Sequence, residues 1–316
     1  MDYYAQGGVA VDPNRLLLTA STSEAYALLF KLLCDPGDAV LVPRPSYPLF
    51  EYLAALECVQ LIPYELRYDG AWSIDFGDMR LHIAQNVRAI VVVNPNNPTG
   101  SFLKEHEFVA LSEIALQHKL PVISDEVFAD YALSDSPDPV NTFIGRNEIL
   151  SFSLNGLSKT ALMPQMKLAW IAINGPNPDY MASRNRLELL SDTYLSVSTP
   201  VQYGLAELLK IGADLRIHTK ELIRENLYTL DRTLQGVPAH LLHLEGGWSA
   251  ILRLPNIFSE EIWTQKLLEE YDTIVQPGFF FDMNVEPTIV VSLMTPSQEF
   301  APGLSRIVSC IKNAGI

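Results

Sequence analysis

Three segments of the chain carry side chains whose types and spacing could do chemistry, and each directly follows a short apolar run. Asn94 to Gly100 has the sequence NPNNPTG, a rigid turn on which the amide of Asn97 could be a fixed hydrogen-bond donor. Asp125 follows the apolar run VIS, and its carboxylate could hold a protonated ring nitrogen. Lys159 lies in the Gly/Ser/Thr-rich turn SLNGLSKT, where its amine could form a Schiff base.

Each segment also has an ordinary structural interpretation, which the residues alone leave open. NPNNPTG would be a turn without a ligand, Asp125 would cap a following helix, and Lys159 would be a solvated surface lysine. All three segments follow predicted strands, and open α/β sheets bind their ligands at the carboxyl ends of strands. The functional interpretation therefore depends on the elements that position the three segments.

Short apolar runs alternate with longer segments of helical period, which is typical of a mainly parallel sheet covered by helices. The clearest case follows the run from Arg15 to Ala20, where Ser21 and Glu24 predict an S-x-x-E capping box at the start of an apolar-periodic helix. Further core strands are predicted at 39–43, 89–95, 121–126, 149–154 and 168–173, and a helix at 105–117.

Beyond about residue 200 the pattern changes, which predicts a second unit. A long charged helical stretch runs from Leu205 to Leu234, with an interruption expected at Gly212. Strands at 249–255 and 288–294 and helices at 259–270 and 303–312 follow it. We therefore predict an α/β fold with a large domain at residues 1–210 and a smaller C-terminal α+β domain at 211–316, divided within the long helix.

The composition excludes several classes of protein. The chain has 316 residues, of which 48% are hydrophobic and 19% charged, so a disordered or coiled-coil protein is not expected. Its net charge of −15 would repel nucleic acid and anionic membranes. The chain has no apolar run of transmembrane length, and its start lacks the features of a signal peptide, so we expect a cytoplasmic protein. Cys34, Cys58 and Cys310 are expected to be buried thiols.

Taken in this order and with their strand contexts, NPNNPTG, DEV and GLSK resemble the class I/II aminotransferases, which are enzymes of the aspartate aminotransferase fold. The resemblance covers nearly the whole chain. It implies a mainly parallel, seven-stranded-type sheet in the large domain, pyridoxal 5'-phosphate (PLP) as cofactor, and a homodimer. It also implies transfer of an amino group between an amino acid and a 2-oxo acid through a Lys159 aldimine.

The resemblance assigns roles to individual residues of this sequence. Lys159 would carry the covalent link and move the proton between the substrate Cα and the cofactor. Asp125 would pair with the pyridinium nitrogen, so that the ring can accept electrons. Asn97 would donate to the phenolic oxygen of the ring, and Tyr47 would stack on its face.

The phosphate side shows departures from the family pattern. The turn at Ser21 and Thr22 would receive the phosphate on backbone N–H groups, with Ser21 in place of a common glycine, which matters only if the turn needs a positive φ. Lys167 replaces a phosphate-binding arginine and lacks its planar fork. Phe128 replaces a tyrosine that donates to the ring oxygen, and Ser153 is a further candidate for binding the cofactor.

The substrate side departs as well. Aligning SLMTPSQEF with the C-terminal strand of the family places Val290 where an arginine normally binds the substrate carboxylate. Arg44 or Arg253 could take that role, although both also fit ordinary surface arginines. The identity of the amino donor is therefore left open.

The resemblance further implies that the chain lacks the usual N-terminal segment, because only 20 residues precede Ser21. Two alternatives to a transaminase stay open. The same lysine and ring would support a PLP-dependent carbon–sulfur lyase, and the short front and Val290 would fit a PLP-binding scaffold with little turnover.

Overall fold

The computed structural model describes residues 2–133, 138–195, 197–283 and 287–315. In this part of the chain, the larger of two sheets has eight strands: β1 (Leu16–Thr19), β2 (Ala39–Arg44), β3 (Gln60–Tyr68), β4 (Trp72–Ile74), β5 (Val87–Val93), β6 (Val122–Asp125), β7 (Ser151–Gly156) and β8 (Ala169–Asn174). Their order is β1-β8-β7-β6-β5-β2-β3-β4. The predicted α/β class with a mainly parallel sheet is confirmed, and the eighth strand is the three-residue β4 at one edge.

The described helices lie around this sheet and beyond it. They are α1 (Asp2–Gln6), α2 (Thr22–Leu33), α3 (Leu49–Leu56), α4 (Phe76–Leu81), α5 (Glu105–His118), α6 (Leu157–Thr160), α7 (Asn177–Tyr194), α8 (Thr199–Leu234), α9 (Glu260–Tyr271) and α10 (Ser297–Asn313). The smaller sheet is antiparallel and has the order β11-β12-β10-β9, from β9 (His240–Leu241), β10 (Ser249–Arg253), β11 (Gln276–Pro277) and β12 (Thr288–Ser292).

The centre of the larger sheet is apolar on both faces, as expected of parallel strands that are covered by helices. In β5, Ile90 and Val92 belong to one buried cluster, whereas Val91 and Val93 belong to a second cluster with the apolar residues of α2. These alternating contacts explain why the strand has a continuous apolar sequence. They also hold the carboxyl ends of the central strands in a rigid frame.

The sheet topology collects the residues that the sequence singled out. Strands β7, β6, β5 and β2 are consecutive neighbours and run parallel. Tyr47 follows β2, Asn97 follows β5, Asp125 ends β6 and Lys159 follows β7. All four therefore lie at one edge of the sheet. The chain also reverses its direction of strand addition between β5 and β2, the kind of switch point at which open α/β sheets bind ligands.

The long helix α8 has 36 residues and continues through Gly212, so the predicted interruption there was wrong. Gly212 packs against α6, and a Cβ at this position would lie 2.5 Å from the Cα of Ala161. The glycine thus allows a close helix contact rather than a break. The division at residues 210 and 211 falls inside α8 and stays a prediction.

The three cysteines differ in exposure. Cys310 is buried and Cys34 is half-buried, but Cys58 is exposed in the turn after α3, so the expectation of three buried thiols was wrong for Cys58. Within the described ranges, none of the helices has the length and apolar character needed to cross a membrane.

Candidate active site

Lys159 is presented by the short helix α6, which begins directly after β7. Gly156 at this junction has a close neighbour, since a Cβ there would lie 2.6 Å from the Cβ of Ala169 on β8. Lys159 lines a cavity of 790 Å³. Its Nζ lies 4.7 Å from the centre of the Trp248 ring and 5.6 Å from that of Phe128. The lysine amine therefore lies beside two aromatic rings on a half-buried side chain.

The electrostatics of Lys159 follow from this position. Burial lowers the pKa of the Lys159 amine, and the negative charge of Asp125 partly opposes that effect. A lowered pKa leaves a larger fraction of the amine neutral at a given pH, and the neutral form is the nucleophile and the base. Lys159 is thus suited to covalent chemistry and proton transfer, unlike a solvated surface lysine.

Asp125 is a buried carboxylate at the end of β6. The backbone N–H of Val127 donates to its Oδ1 at 3.2 Å and the hydroxyl of Tyr26 donates to its Oδ2 at 3.1 Å. Burial raises the pKa of Asp125 to about 6, against the lowering effects of both hydrogen bonds and of Lys159. A turn rather than a helix follows Asp125, so the helix-capping interpretation was wrong.

Asn97 lines the cavity, whereas the other two asparagines of NPNNPTG hold the turn. Asn94 accepts from the backbone N–H of Leu103 at 2.9 Å, and Asn96 Oδ1 accepts from the hydroxyl of Thr99 at 3.0 Å. Asn97 Oδ1 accepts from Ser249 Oγ at 3.3 Å, which orients the amide. Its Nδ2 makes no hydrogen bond to any described residue and can donate to a ligand.

Tyr47 is 43% exposed and lies outside the residues that line the cavity. Partial burial raises the pKa of its phenol, and the charge of Asp125 raises it further. The Tyr47 phenol is therefore within electrostatic range of Asp125. Tyr47 is therefore near the candidate site but more open to solvent than a core ring.

The residues considered for the phosphate side lie just beyond one end of the antiparallel ladder of β1 and β8. Its last pair is Thr19 with Ala169, so Ser21 follows β1 and Lys167 precedes β8, in a left-handed backbone conformation with a φ of 51°. Lys167 is exposed. Ser21 has a φ of −163°, an extended conformation open to any residue, so the loss of the glycine causes no strain here.

The predicted capping box at Ser21 is present with one change. The backbone N–H of Glu24 donates to Ser21 Oγ at 3.1 Å, while the Glu24 carboxylate accepts from the N–H of Ala20 rather than Ser21. Among described residues, the backbone N–H groups of Thr22 and Ser23 have no hydrogen-bond acceptor. These two donors at the start of α2 are therefore available to an anion.

Two remaining residues differ in their relation to the cavity. Phe128 lines it, with its ring edge-on to Trp248 at 5.2 Å. Ser153 is buried inside β7, where its Oγ accepts from Asn174 at 3.4 Å and also approaches the carboxylate of Glu126. Ser153 is not among the lining residues, because its hydroxyl is engaged within the sheet.

Sequence reasoning missed two aromatic residues of the site. Trp248 precedes β10 and encloses Lys159, and the two glycines before it were the available signal for a close chain approach. A Cβ at Gly246 would lie 2.8 Å from the ring of Phe102. Tyr26 lies inside an ordinary amphipathic helix, where nothing in the sequence pattern marks its contact with Asp125.

The residues considered for binding the substrate carboxylate differ in whether they line the cavity. Val290 is buried in β12 and lines the cavity, together with Val291 and Ile274. Neither Arg44 nor Arg253 lines it. Arg44 pairs with Glu65 and Arg253 is exposed at the end of β10, so both are ordinary surface arginines.

One arginine that the sequence analysis did not consider does line the cavity. Arg306 on α10 donates through Nη1 to the carbonyl oxygen of Asp272 at 2.9 Å and lies 3.7 Å from its carboxylate. Of the described residues, it is the only cation besides Lys159 in the lining. Asp272 and Glu299 also line the cavity, so this side carries no excess positive charge.

Comparison with solved structures gives the same fold. Alanine aminotransferase from Pyrococcus furiosus superposes with a TM-score of 0.87 over 97% of this chain and 78% of that one, at 23% identity. A mutant of Thermus thermophilus aspartate aminotransferase superposes with a TM-score of 0.84 over 98% of this chain and 79% of that one, at 20% identity. The two-sheet architecture is thus that of the aspartate aminotransferase fold.

Comparison of sequences supplies the family. The chain is 30% identical to glutamate-pyruvate aminotransferase AlaA of Escherichia coli over 207 residues, 66% of this chain and 51% of that protein. It is 26% identical to tyrosine aminotransferase of Bos taurus over 289 residues, 89% of this chain and 64% of that protein. The chain therefore spans between half and two thirds of these relatives. Because the model of aminotransferase class I and II matches residues 1–305, and the site residues stand in the expected order, the chain belongs to the class I and II aminotransferase family.

Proposed function

We propose that the chain binds PLP and moves an amino group between an amino acid and a 2-oxo acid. The observation that carries the proposal is the position of Lys159 relative to Asp125. The Lys159 amine, which lines the cavity and has a lowered pKa, lies within electrostatic range of the buried Asp125 carboxylate. The two residues stand at the carboxyl ends of the neighbouring parallel strands β7 and β6. A desolvated lysine beside a buried acid is the combination that covalent amine chemistry on a protonated ring requires.

The groups without partners support a cofactor of this shape. Asn97 Nδ2 is an unused donor in the cavity, suited to an anionic ring oxygen. The N–H groups of Thr22 and Ser23 suit a phosphate, and Lys167, which precedes β8, is an exposed cation that could add to them. Asp125 accepts one hydrogen bond on each oxygen and keeps lone pairs for a protonated ring nitrogen. The residues present therefore fit PLP.

PLP, when bound, supplies two groups: an aldehyde, which can be linked to an amine, and a protonated pyridine ring, which draws electrons from the substrate Cα. Lys159 would hold the aldehyde carbon and then move the Cα proton, a task for which its lowered pKa suits it. Asp125 would keep the ring nitrogen protonated. Phe128 and Trp248 would exclude water from the Lys159 amine.

A transaminase, a carbon–sulfur lyase and a scaffold are distinguished by one incubation of the purified protein with PLP. An amino donor together with a 2-oxo acid should give a new amino acid and a new 2-oxo acid in equal amounts. A lyase would release ammonia without an acceptor, and a scaffold would produce neither. Release of ammonia alone, or no reaction with any donor tested, would overturn the proposal.

The assembly is proposed on family grounds. We expect a homodimer, with the active site at the boundary of the subunits, in the cytoplasm, and a division of the chain near residues 210 and 211. Light scattering of the PLP-loaded protein tests whether it is a homodimer. A stable monomer that retains the cofactor would contradict the dimer.

A further inference from the structure

Tyr26 makes a contact that no step of the proposed function uses. Its ring is 3% exposed on α2, and its hydroxyl donates to Asp125 Oδ2 at 3.1 Å. Phe50 on α3 packs edge-on against the ring at 5.2 Å, and Phe30 lies against it at 5.9 Å. These two neighbours hold the ring in place, so the hydroxyl is directed at the carboxylate by packing and not only by its own hydrogen bond.

The groups that face Asp125 come from three other elements. Tyr26 faces it from α2, Lys159 from α6, and Tyr47 from the segment between β2 and α3. Of these groups, only Tyr26 is held to the carboxylate by a side-chain hydrogen bond. A neutral donor stabilises the ionised form of a carboxylate, so this bond lowers the pKa of Asp125 that burial raises.

The place of Tyr26 along α2 adds a geometrical role. Thr22, whose N–H is available to an anion, lies one helical turn before Tyr26, a rise of about 6 Å. The hydrogen bond from Tyr26 to Asp125 therefore ties the start of α2 to the end of β6. It sets the spacing between the donors for a phosphate and the acceptor for a ring nitrogen.

We propose that Tyr26 is a positioning residue that keeps Asp125 ionised and fixes its distance from the start of α2. The effect of Tyr26 on the ionisation of Asp125 requires no cofactor. The consequence for binding a pyridine ring and its phosphate at their correct separation rests on the proposed function.

The first test measures Asp125 without any cofactor. Tyr26→Phe removes only the hydroxyl and keeps the ring between Phe30 and Phe50. A matched control is Tyr64→Phe, because Tyr64 is equally buried but donates to a backbone oxygen, that of Val91 at 2.9 Å. Carboxyl ¹³C resonances are followed against pH, with Asp125→Asn to assign the signal.

The expected result is a rise of about one pH unit in the titration midpoint of Asp125 in Tyr26→Phe, which corresponds to loss of one hydrogen bond to a charged group. Tyr64→Phe should leave the midpoint unchanged. An unchanged midpoint in Tyr26→Phe, or an equal shift in both variants, would overturn the proposal.

The second test measures binding of pyridoxamine 5'-phosphate by calorimetry, a probe that cannot be linked to Lys159 through an aldehyde. Tyr26→Phe should weaken binding about twofold at pH 7 and about tenfold at pH 5, because a titration midpoint raised from about 6 to about 7 lowers the ionised fraction of Asp125 by those factors. The same change made in an Asp125→Asn background should have no further effect, because Tyr26 acts through Asp125. A full loss of about tenfold at pH 5 in that background would refute the route through Asp125.

The two tests separate the inference from the proposed function. If the parent protein fails to bind the probe while the midpoint of Asp125 shifts, then PLP binding is wrong and the coupling of Tyr26 to Asp125 stands. The parent and Tyr26→Phe can instead bind the probe equally well while the titration midpoint of Asp125 shifts. In that case the role of Tyr26 in ring binding is wrong.

Discussion

The cavity has two unlike walls. The sheet wall, formed by Asn97, Phe128 and Lys159 after β5, β6 and β7, has polar groups that neighbouring residues hold in place. The small-sheet wall, formed by Val290, Val291 and the facing part of α10, mixes apolar side chains with polar and charged ones, and its arginine is already bonded to an aspartate.

This difference separates two tasks that one site must perform. The sheet wall carries the groups to which the proposed function assigns the holding and activation of PLP, although Lys167 and Phe128 depart from the family pattern. The small-sheet wall offers Val290 where a carboxylate would be bound by an arginine in the family pattern. Under the proposed function, activation and recognition would therefore depend on residues of different sheets.

The largest expected effect concerns the sheet wall. Lys159→Ala should abolish amino transfer and the covalent cofactor label that borohydride reduction leaves on the protein, because no other described lysine lines the cavity. Peptide mapping of the reduced parent protein should find the label on Lys159. Lys167→Ala is the matched control and should keep the label while binding PLP more weakly. A label on Lys167 would overturn the assignment of the whole wall.

Asp125→Asn should have the next largest effect, because it keeps the shape of the side chain and removes the charge that holds a ring proton. Abstraction of the Cα proton should slow by roughly two to four orders of magnitude, measured as exchange of substrate α-deuterium. Glu126→Gln changes an equally buried carboxyl that bonds to Thr142 and Phe143, and it should leave the exchange rate near that of the parent. Near-normal exchange in Asp125→Asn would refute the role of this carboxylate.

The small-sheet wall is tested by Val290→Arg. If the missing cation limits recognition, kcat/KM for common α-amino acids should rise about tenfold to a hundredfold, since a charge-assisted contact is gained. Amines without a carboxylate should show no such rise, which controls for altered packing. A micromolar KM of the parent for an α-amino acid would show that this wall already binds carboxylates. Arg306→Gln would then identify whether Arg306 provides the contact.

The smallest effect is on stability. Since burial raises the folded-state pKa of Asp125 to about 6 from 3.8, the folded protein keeps this proton between those pH values while the unfolded chain releases it. The contribution of Asp125 to the free energy of unfolding therefore falls as the pH rises from about 4 to about 6. Urea unfolding of the cofactor-free protein should show Asp125→Asn more stable than the parent at pH 8, by on the order of 1 to 3 kcal/mol, and not at pH 4. Equal stability differences at both pH values would contradict this.

Much of the larger sheet was predictable because its strands are unusual in sequence. β2, β5, β6 and β8 are apolar on both faces, which only a covered sheet allows, so their positions were predicted within one or two residues. β3 was missed because QLIPYELRY mixes charged residues and a proline with apolar ones. The mostly polar helix α7 was missed for the same reason.

The candidate site was predictable only where a residue follows a strand. Asn97, Asp125 and Lys159 stand next to apolar runs, whereas Tyr26 and Trp248 reach the site from elements distant in sequence. Ser153 stays a candidate for binding the cofactor, and in the structure its hydroxyl accepts from Asn174 within the larger sheet. Contacts between distant segments depend on strand order, which local pattern does not contain.

Gly212 lets the backbone of α8 approach the end of α6 closely at Ala161. Helix α8 is about 54 Å long, and its C-terminal half packs with α10 against the smaller sheet. Its earlier half touches α6, the single turn that presents Lys159, at a point where no side chain separates the two backbones. The helix therefore connects the smaller sheet with the turn that carries Lys159. A movement of the smaller sheet would therefore reach the backbone of α6, which carries Lys159, with no side chain between α8 and α6 to absorb it.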